Sequence, residues 1–257
     1  MPILEASGVT RRFGGLTAVN DFNISIEPGE VIGLIGPNGA GKTTAFNMLS
    51  GVLPPSEGDI RFEGKSIIGL KTHKVTQRGI ARTFQNIRLF ADLTVLDNVK
   101  IASHFRCGYT MAEAVLRAPR FVRREAEIER NAIDLLGIFG LAHLKDEVAR
   151  NLPYGEQRRM EIARALATSP RLLLLDEPAA GMNPQESLEL VEFIRFVRDK
   201  FDLTVLLIEH HMDVVMSICQ RILVLDYGVT ISKGTPKEIQ SDPRVIEAYL
   251  GKEVEDG

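Results

Sequence analysis

One stretch constrains this chain more than any other. The apolar run Val31 to Ile35 leads directly into Gly36-Pro37-Asn38-Gly39-Ala40-Gly41-Lys42-Thr43. The run has the length and composition of a buried strand. The eight residues after it fit GxxxxGK[ST], the pattern of a phosphate-binding loop. Glycines let the backbone curl until several N–H groups converge on one anion. A helix predicted over Lys42 to Leu49, closed by Gly51 and Pro54-Pro55, turns its positive N-terminus toward the same anion. In such a loop Lys42 reaches the β- and γ-phosphates of a nucleotide, and the Thr43 hydroxyl ligates Mg²⁺.

A second apolar run, Leu172 to Leu175, ends in Asp176 and Glu177. A strand of this kind places its terminal carboxylate at the carboxyl edge of the sheet, where open α/β sheets bind ligands. Two adjacent carboxylates repel, and a cation relieves the repulsion. Asp176 is therefore the candidate to hold Mg²⁺, and Glu177 the candidate to polarise a water for attack on a γ-phosphate. A third run, Leu203 to Ile208, precedes His210 and His211. Strands alternating with helices imply a mostly parallel sheet covered on both faces.

Lys plus Arg total 31 against 34 Asp plus Glu, a formal charge of −3 in 257 residues. That balance excludes a chain built chiefly to bind nucleic acid. No apolar run approaches the ~18 residues of a membrane span, so service to a membrane requires docking onto another chain. The opening Met1-Pro2-Ile3-Leu4-Glu5 lacks the basic start of a signal peptide. Cys107 and Cys219 lie far apart and read as free thiols in a reducing compartment.

The segment before Glu63 reads as strand-rich. From about Asp92 to Ala149 the pattern is helical: Thr94 with Asp97 suggests a capping box, and Ala112 to Leu116 and Arg123 to Leu136 carry apolar residues at helical spacing. Core character returns with a helix from about Tyr154 to Thr168. Asn183-Pro184-Gln185-Glu186 reads as a helix start. Tyr227-Gly228 reads as the turn of a hairpin, and Thr235-Pro236 and Asp242-Pro243 as the starts of two short helices.

Between the phosphate loop and Asp176 lies Leu152-Pro153-Tyr154-Gly155-Glu156-Gln157-Arg158-Arg159. It resembles the signature sequence of ATP-binding cassette (ABC) ATPases. The resemblance runs the length of the chain: Phe13, the phosphate loop, Thr83-Phe84-Gln85, the strand ending at Asp176, Ala180-Gly181-Met182-Asn183, and His210 follow in the family's order. It implies an α/β fold, the P-loop NTPase (RecA-like) parallel-sheet core of residues 1–91 and 151–257. An N-terminal antiparallel β subdomain and an inserted helical subdomain, 92–150, complete it.

The resemblance also implies ATP and Mg²⁺. Gly36, Pro37, Asn38, Gly39, Ala40, Gly41, Lys42, Thr43 and Thr44 are the implied nucleotide contacts, with Phe13 stacked on adenine. Thr43, Gln85 and Asp176 are the implied metal residues; Glu177, His210 and Gln85 are the implied catalytic ones. His211 competes with His210, which the spacing from the strand favours. Tyr154, Gly155 and Glu156, at a helix N-terminus, are implied to meet ATP bound by a second cassette, in a homo- or heterodimer.

Two departures stand out. Pro153 replaces the family's usual Ser and removes a hydroxyl donor; the helix is expected to survive and the hold on the opposite ATP to weaken. Asn183 replaces the usual Asp and also suits a helix cap. Longer strings, including Arg12 to Leu16, Arg82 to Asn86, Leu207 to His210 and Gly234 to Ile239, are similar to the ATP-binding subunits of branched-chain amino acid importers of the LivG type. The stretch His104 to Arg130 fits that type better than its shorter sister subunit. This similarity implies two membrane permease subunits, a periplasmic substrate-binding protein behind them, and a peripheral place on the cytoplasmic side of the membrane.

Import of urea or amides and export of lipopolysaccharide are alternative cargoes. A soluble ABC protein of DNA repair is disfavoured by the acidic charge and the modest helical insert. A regulatory module without turnover is disfavoured by Glu177 and His210. Ile87-Arg88-Leu89-Phe90 is a candidate permease contact. Arg117, Arg120, Arg123, Arg124 and Arg130 among Glu125, Glu127 and Glu129 read as a solvated, ion-paired helix, with docking to anionic lipid or permease as the sharper alternative.

Overall fold

The structure, a computed structural model, describes residues 1–253. In chain order they form β1 (Leu4–Phe13), β2 (Leu16–Ile26), β3 (Val31–Ile35), α1 (Lys42–Leu49), β4 (Glu57–Phe62), β5 (Lys65–Ser66), α2 (Thr72–Arg78) and β6 (Ile80–Arg82). Then come α3 (Val95–Ser103), α4 (Met111–Val115), α5 (Pro119–Ile138) and α6 (Tyr154–Leu166). The chain finishes with β7 (Leu172–Asp176), α7 (Pro184–Phe201), β8 (Thr204–Ile208), α8 (Met212–Ile218), β9 (Arg221–Asp226), β10 (Val229–Gly234), α9 (Pro236–Ser241) and α10 (Pro243–Glu253). Two compact units result: Met1–Gln85 with Arg171–Gly257, and Asn86–Pro170. The second contains, besides the helices between 92 and 150, the loop from Asn86 and the helix α6.

The first unit holds two sheets. One is four-stranded and antiparallel, in the order β2-β1-β4-β5; the other is six-stranded, in the order β10-β9-β3-β8-β7-β6. In the larger sheet only the β9–β10 hairpin is antiparallel. Every residue of β3, β7 and β8 is buried, which is why these strands are unbroken apolar runs rather than alternating ones. Strand β1 instead starts with alternating buried and exposed positions, as a strand covered on one face does. Phe22, Phe46 and Phe62, each at most 2% exposed, join β2, α1 and β4 in one core cluster with Leu172, Leu206 and Leu223 of the larger sheet. Removing a ring such as that of Phe46 would cost about 3–5 kcal/mol.

The larger sheet also sets the address of the site. Strands β3, β8 and β7 are parallel neighbours, with Leu34 opposite Ile208 and Asp176 opposite Ile208. The loops that leave their carboxyl ends therefore emerge side by side.

In the second unit α5 buries Ile128, Ala132, Leu135 and Leu136, a stripe at helical spacing. Thr94 caps α3 by accepting from Asp97 N at 3.0 Å. The Asp97 carboxylate takes the Thr94 hydroxyl at 2.8 Å, not the backbone N–H that a full capping box uses. Pro153 is the N-cap of α6, so the helix does survive it, and α6 ends at Leu166, short of Thr168. Arg124 pairs with Glu127 at 2.7 Å and Arg120 with Glu113 at 3.6 Å, the ion-paired surface expected of this stretch.

Candidate functional site

A cavity of about 530 Å³ opens at the carboxyl edge of the larger sheet, lined by residues 38–44, Gln85, Glu177 and His210, with residues 16–18 and Tyr227 on its rim. Gly36 and Pro37 lie outside that lining, and glycine shapes the loop that enters it. Gly36 has φ 147°, and a Cβ there would stand 2.0 Å from the Leu225 carbonyl oxygen. Gly41 has φ 97°, and its Cβ would stand 2.5 Å from the Ala18 carbonyl oxygen. No larger residue fits either position without moving backbone.

Lys42 is 5% exposed, and its ammonium donates to the carbonyls of Gly36 at 2.7 Å and Pro37 at 2.8 Å. This ties the loop's oxygens to one side. Gly41, the N-cap of α1, offers no side-chain cap, so the first turn of the helix presents its N–H groups and its partial positive charge to the cavity. A buried cation, glycine-shaped backbone and a helix N-terminus form a cradle for phosphate.

The acidic side of the site is equally ordered. Glu177 Oε2 accepts from Gln85 Nε2 at 2.7 Å, and Glu177 Oε1 lies 2.8 Å from His210 Nε2. Glu177 itself sits at φ 47°, a strained conformation for a non-glycine residue. Its N–H donates to the Ile208 carbonyl at 2.9 Å, which fixes it against the end of β8. His211 turns elsewhere, with Nδ1 3.3 Å from Glu209.

Asp176 is 5% exposed and bears a partner the sequence did not announce. Arg82 Nη2 donates to Asp176 Oδ2 at 2.7 Å. The same guanidinium donates to Asn47 Oδ1 at 2.5 Å and Ser50 Oγ at 3.0 Å, and lies over the Phe46 and Phe84 rings. Arg82 thus ties α1, the end of β6 and the end of β7 together beneath the site.

The structure brings residues 38–44, Gln85, Glu177 and His210 to one cavity, with Asp176 buried at the strand end beside Glu177. Phe13 is not in the lining. It is 46% exposed at the tip of the β1–β2 hairpin, opposite Leu16, with the Arg11 guanidinium 4.7 Å from its ring centroid. Tyr154, Gly155 and Glu156 form the first turn of α6 in the other unit. Sequence reasoning missed Arg82, Glu209 and Tyr227. For Arg82 the signal was a charge next to Thr83-Phe84-Gln85. For Glu209 it was a carboxylate after an apolar strand, the same signal that singled out Asp176. Tyr227 gave only a turn signal, and it occupies that turn at φ 43° with Gly228 at φ 80°.

Comparison with known proteins gives the family. Residues 19–180 match the family described as ABC transporter, and residues 229–255 match the branched-chain amino acid ATP-binding cassette transporter family. The chain is 47% identical to the high-affinity branched-chain amino acid transport ATP-binding protein BraF of Pseudomonas aeruginosa, over 98% of both chains. It is 44% identical to LivG of Escherichia coli, again over 98% of both. The lipopolysaccharide export ATP-binding protein LptB of Escherichia coli is 36% identical, over 98% of this chain. A solved ATP-binding cassette of an ABC transporter, in its ADP conformation, superposes with a TM-score of 0.85 at 32% identity, covering 98% of this chain and 99% of the other. The chain therefore belongs to the ATP-binding proteins of ABC transporters, ATPases built on the α/β P-loop fold.

Proposed function

We propose that this protein hydrolyses ATP to drive import of branched-chain amino acids through membrane permease partners. The observation that carries the reading is the 47% and 44% identity, over 98% of the chain, to two ATP-binding proteins of high-affinity branched-chain amino acid transport. The match of residues 229–255 to a family of the same transport class supports it.

The site supports the chemistry residue by residue. Lys42, the backbone N–H groups of the loop at 36–44 and the α1 N-terminus bind the β- and γ-phosphates. Glu177 takes a proton from the water that attacks the γ-phosphorus, and its two carboxylate oxygens are oriented for that by Gln85 and His210. His210 then faces the transferred phosphate. Thr43, Asp176 and Gln85 are a hard, all-oxygen donor set that suits Mg²⁺. When bound, the ion neutralises charge on the phosphate oxygens. Tyr227, which lines the cavity, and Phe13, paired across its hairpin with the lining residue Leu16, are the aromatic groups offered to the base.

Tyr154, Gly155 and Glu156 complete the picture from another subunit. The first turn of α6 has no side-chain cap, and its N–H groups suit the γ-phosphate of ATP held by a second cassette, identical or related. Ile87 to Phe90, one residue beyond Gln85, then serves as a permease contact. Phe90 is 48% exposed and its backbone is pinned to the buried Asn98. The protein works on the cytoplasmic side of the membrane, and no helix among the described residues is long and apolar enough to cross it.

Co-purification with its membrane subunits, reconstitution with the substrate-binding protein, and ATPase assays over a panel of solutes test the reading. Stimulation by leucine, isoleucine or valine is expected. Stimulation only by urea, short amides or lipopolysaccharide would contradict it.

A further inference from the structure

We propose that Glu209 is a positioning residue that locks the loop bearing His210 to the loop that follows Glu177. The inference rests on the roles just assigned to Glu177 and His210. Glu209 is 1% exposed, yet it carries a carboxylate. One oxygen, Oε1, accepts from Ala179 N at 2.6 Å. The other, Oε2, accepts from His210 N at 3.1 Å and from His211 N at 3.4 Å. A single side chain thus staples two loops by their backbones.

The sheet explains why the staple falls there. Strands β7 and β8 are parallel neighbours with Asp176 opposite Ile208, so the residues after each strand leave side by side. The backbone of Glu177 already bonds to Ile208. Beyond that bond, the two loops diverge: one turns through Ala180 N to the Glu177 carbonyl and Met182 N to the Ala179 carbonyl, the other enters α8. Glu209 closes the gap between them. The imidazole of His210 and the carboxylate of Glu177 stand 2.8 Å apart on these same two loops, so the staple sets their separation.

The chemistry demands a carboxylate. An ionised carboxylate accepts at both oxygens, whereas a glutamine of equal size offers one acceptor and one donor. Glutamine can serve Ala179 or His210, but it points an NH₂ group at the other N–H. Buried polar groups left in that state do not hold geometry. Aspartate keeps both acceptors and only draws them back by one methylene.

The test compares E209Q, E209D, H210A and E209Q/H210A in the full chain assembled with its membrane subunits, measuring kcat, KM and the affinity for a fluorescent ATP analogue. Expected for E209Q is a kcat lowered roughly 10- to 100-fold, with nucleotide affinity changed less than about twofold. E209D should turn over faster than E209Q, and the double variant should be no slower than H210A alone. A role in packing alone predicts the reverse order, with the isosteric glutamine at or above aspartate; that result would overturn the proposal. So would effects that multiply in the double variant, or wild-type turnover in E209Q alongside a slow H210A. Wild-type turnover in H210A would remove the reading of His210 itself, whatever E209Q does. If E209Q does not fold, E209D with unchanged affinity and a kcat between those of wild type and H210A supports the staple, and E209D slower than H210A or with weakened nucleotide affinity overturns it.

Discussion

The two glycine-bearing segments that the family resemblance assigns to ATP are built on opposite principles. In the first unit, Gly36 and Gly41 are required by the chain itself: a Cβ at either would press to 2.0 or 2.5 Å on a backbone carbonyl oxygen. In the second unit, Gly155 sits exposed in the first turn of α6, and a Cβ there would meet nothing within 4 Å. A helical glycine with open space around it only weakens its helix. One segment takes its shape from backbone contacts within its own unit; the other is a helix start without a side-chain cap, with open space at its glycine. This is the contrast expected under the proposed sharing of one nucleotide between two subunits.

Substitution can break this contrast, and the largest effect falls on the cradle. G36A forces a Cβ into the Leu225 carbonyl, at a cost of roughly 2–4 kcal/mol, so melting should drop by roughly 5–10 °C and ATP binding should vanish in a filter or fluorescence assay. K42A removes the buried ammonium and should weaken ATP binding by roughly 100-fold or more, measured by titration with a fluorescent analogue. G155A sharpens the contrast from the other side. It should leave melting unchanged or stabilise α6 by up to about 1 kcal/mol, while ATP turnover in the assembled transporter falls roughly tenfold. Equal stability losses in G36A and G155A would erase the distinction between the two segments.

The smallest test uses the two thiols, one in each unit. Cys219 is buried in the first unit, and burial, reinforced by the nearby Glu209 charge, pushes its thiol up to about 12. Cys107 in the second unit is half-buried. At pH 8 a thiol reagent should label Cys107 and spare Cys219 until the protein is unfolded, as read by mass spectrometry. The sign for stability follows. Burial of the neutral thiol contributes fully below the ordinary thiol value of 9.0 and is lost as pH rises from there toward about 12.

Local signals and long-range ones fared differently in the sequence. Helix α1 spans Lys42–Leu49 as its glycine and proline boundaries predict, and Asn183 caps α7 in a reciprocal box with Glu186. Each depends on neighbours a few residues away. Arg82 acts across 94 residues on Asp176 and 35 on Asn47, and Glu209 across 30 on Ala179. Those partners meet only once β6, β7 and β8 lie side by side, an order that no spacing along the chain encodes. Phe13 is instructive in a third way: its ring is easy to pick out in the sequence, but it ends β1 beside Arg11 and opposite Leu16, outside the lining of the cavity. The fold was legible through its buried strands; the wiring under the site was not, because it is tertiary.

In the proposed reaction the cradle binds ATP, and Glu177, held by Gln85 and His210, activates the water that cleaves it. E177Q, measured for ATP affinity and phosphate release on the same preparation, tests that most directly. Affinity within about twofold of wild type with phosphate release reduced roughly 100-fold or more is the expected pair. Phosphate release at the wild-type rate would rule out Glu177 as the base.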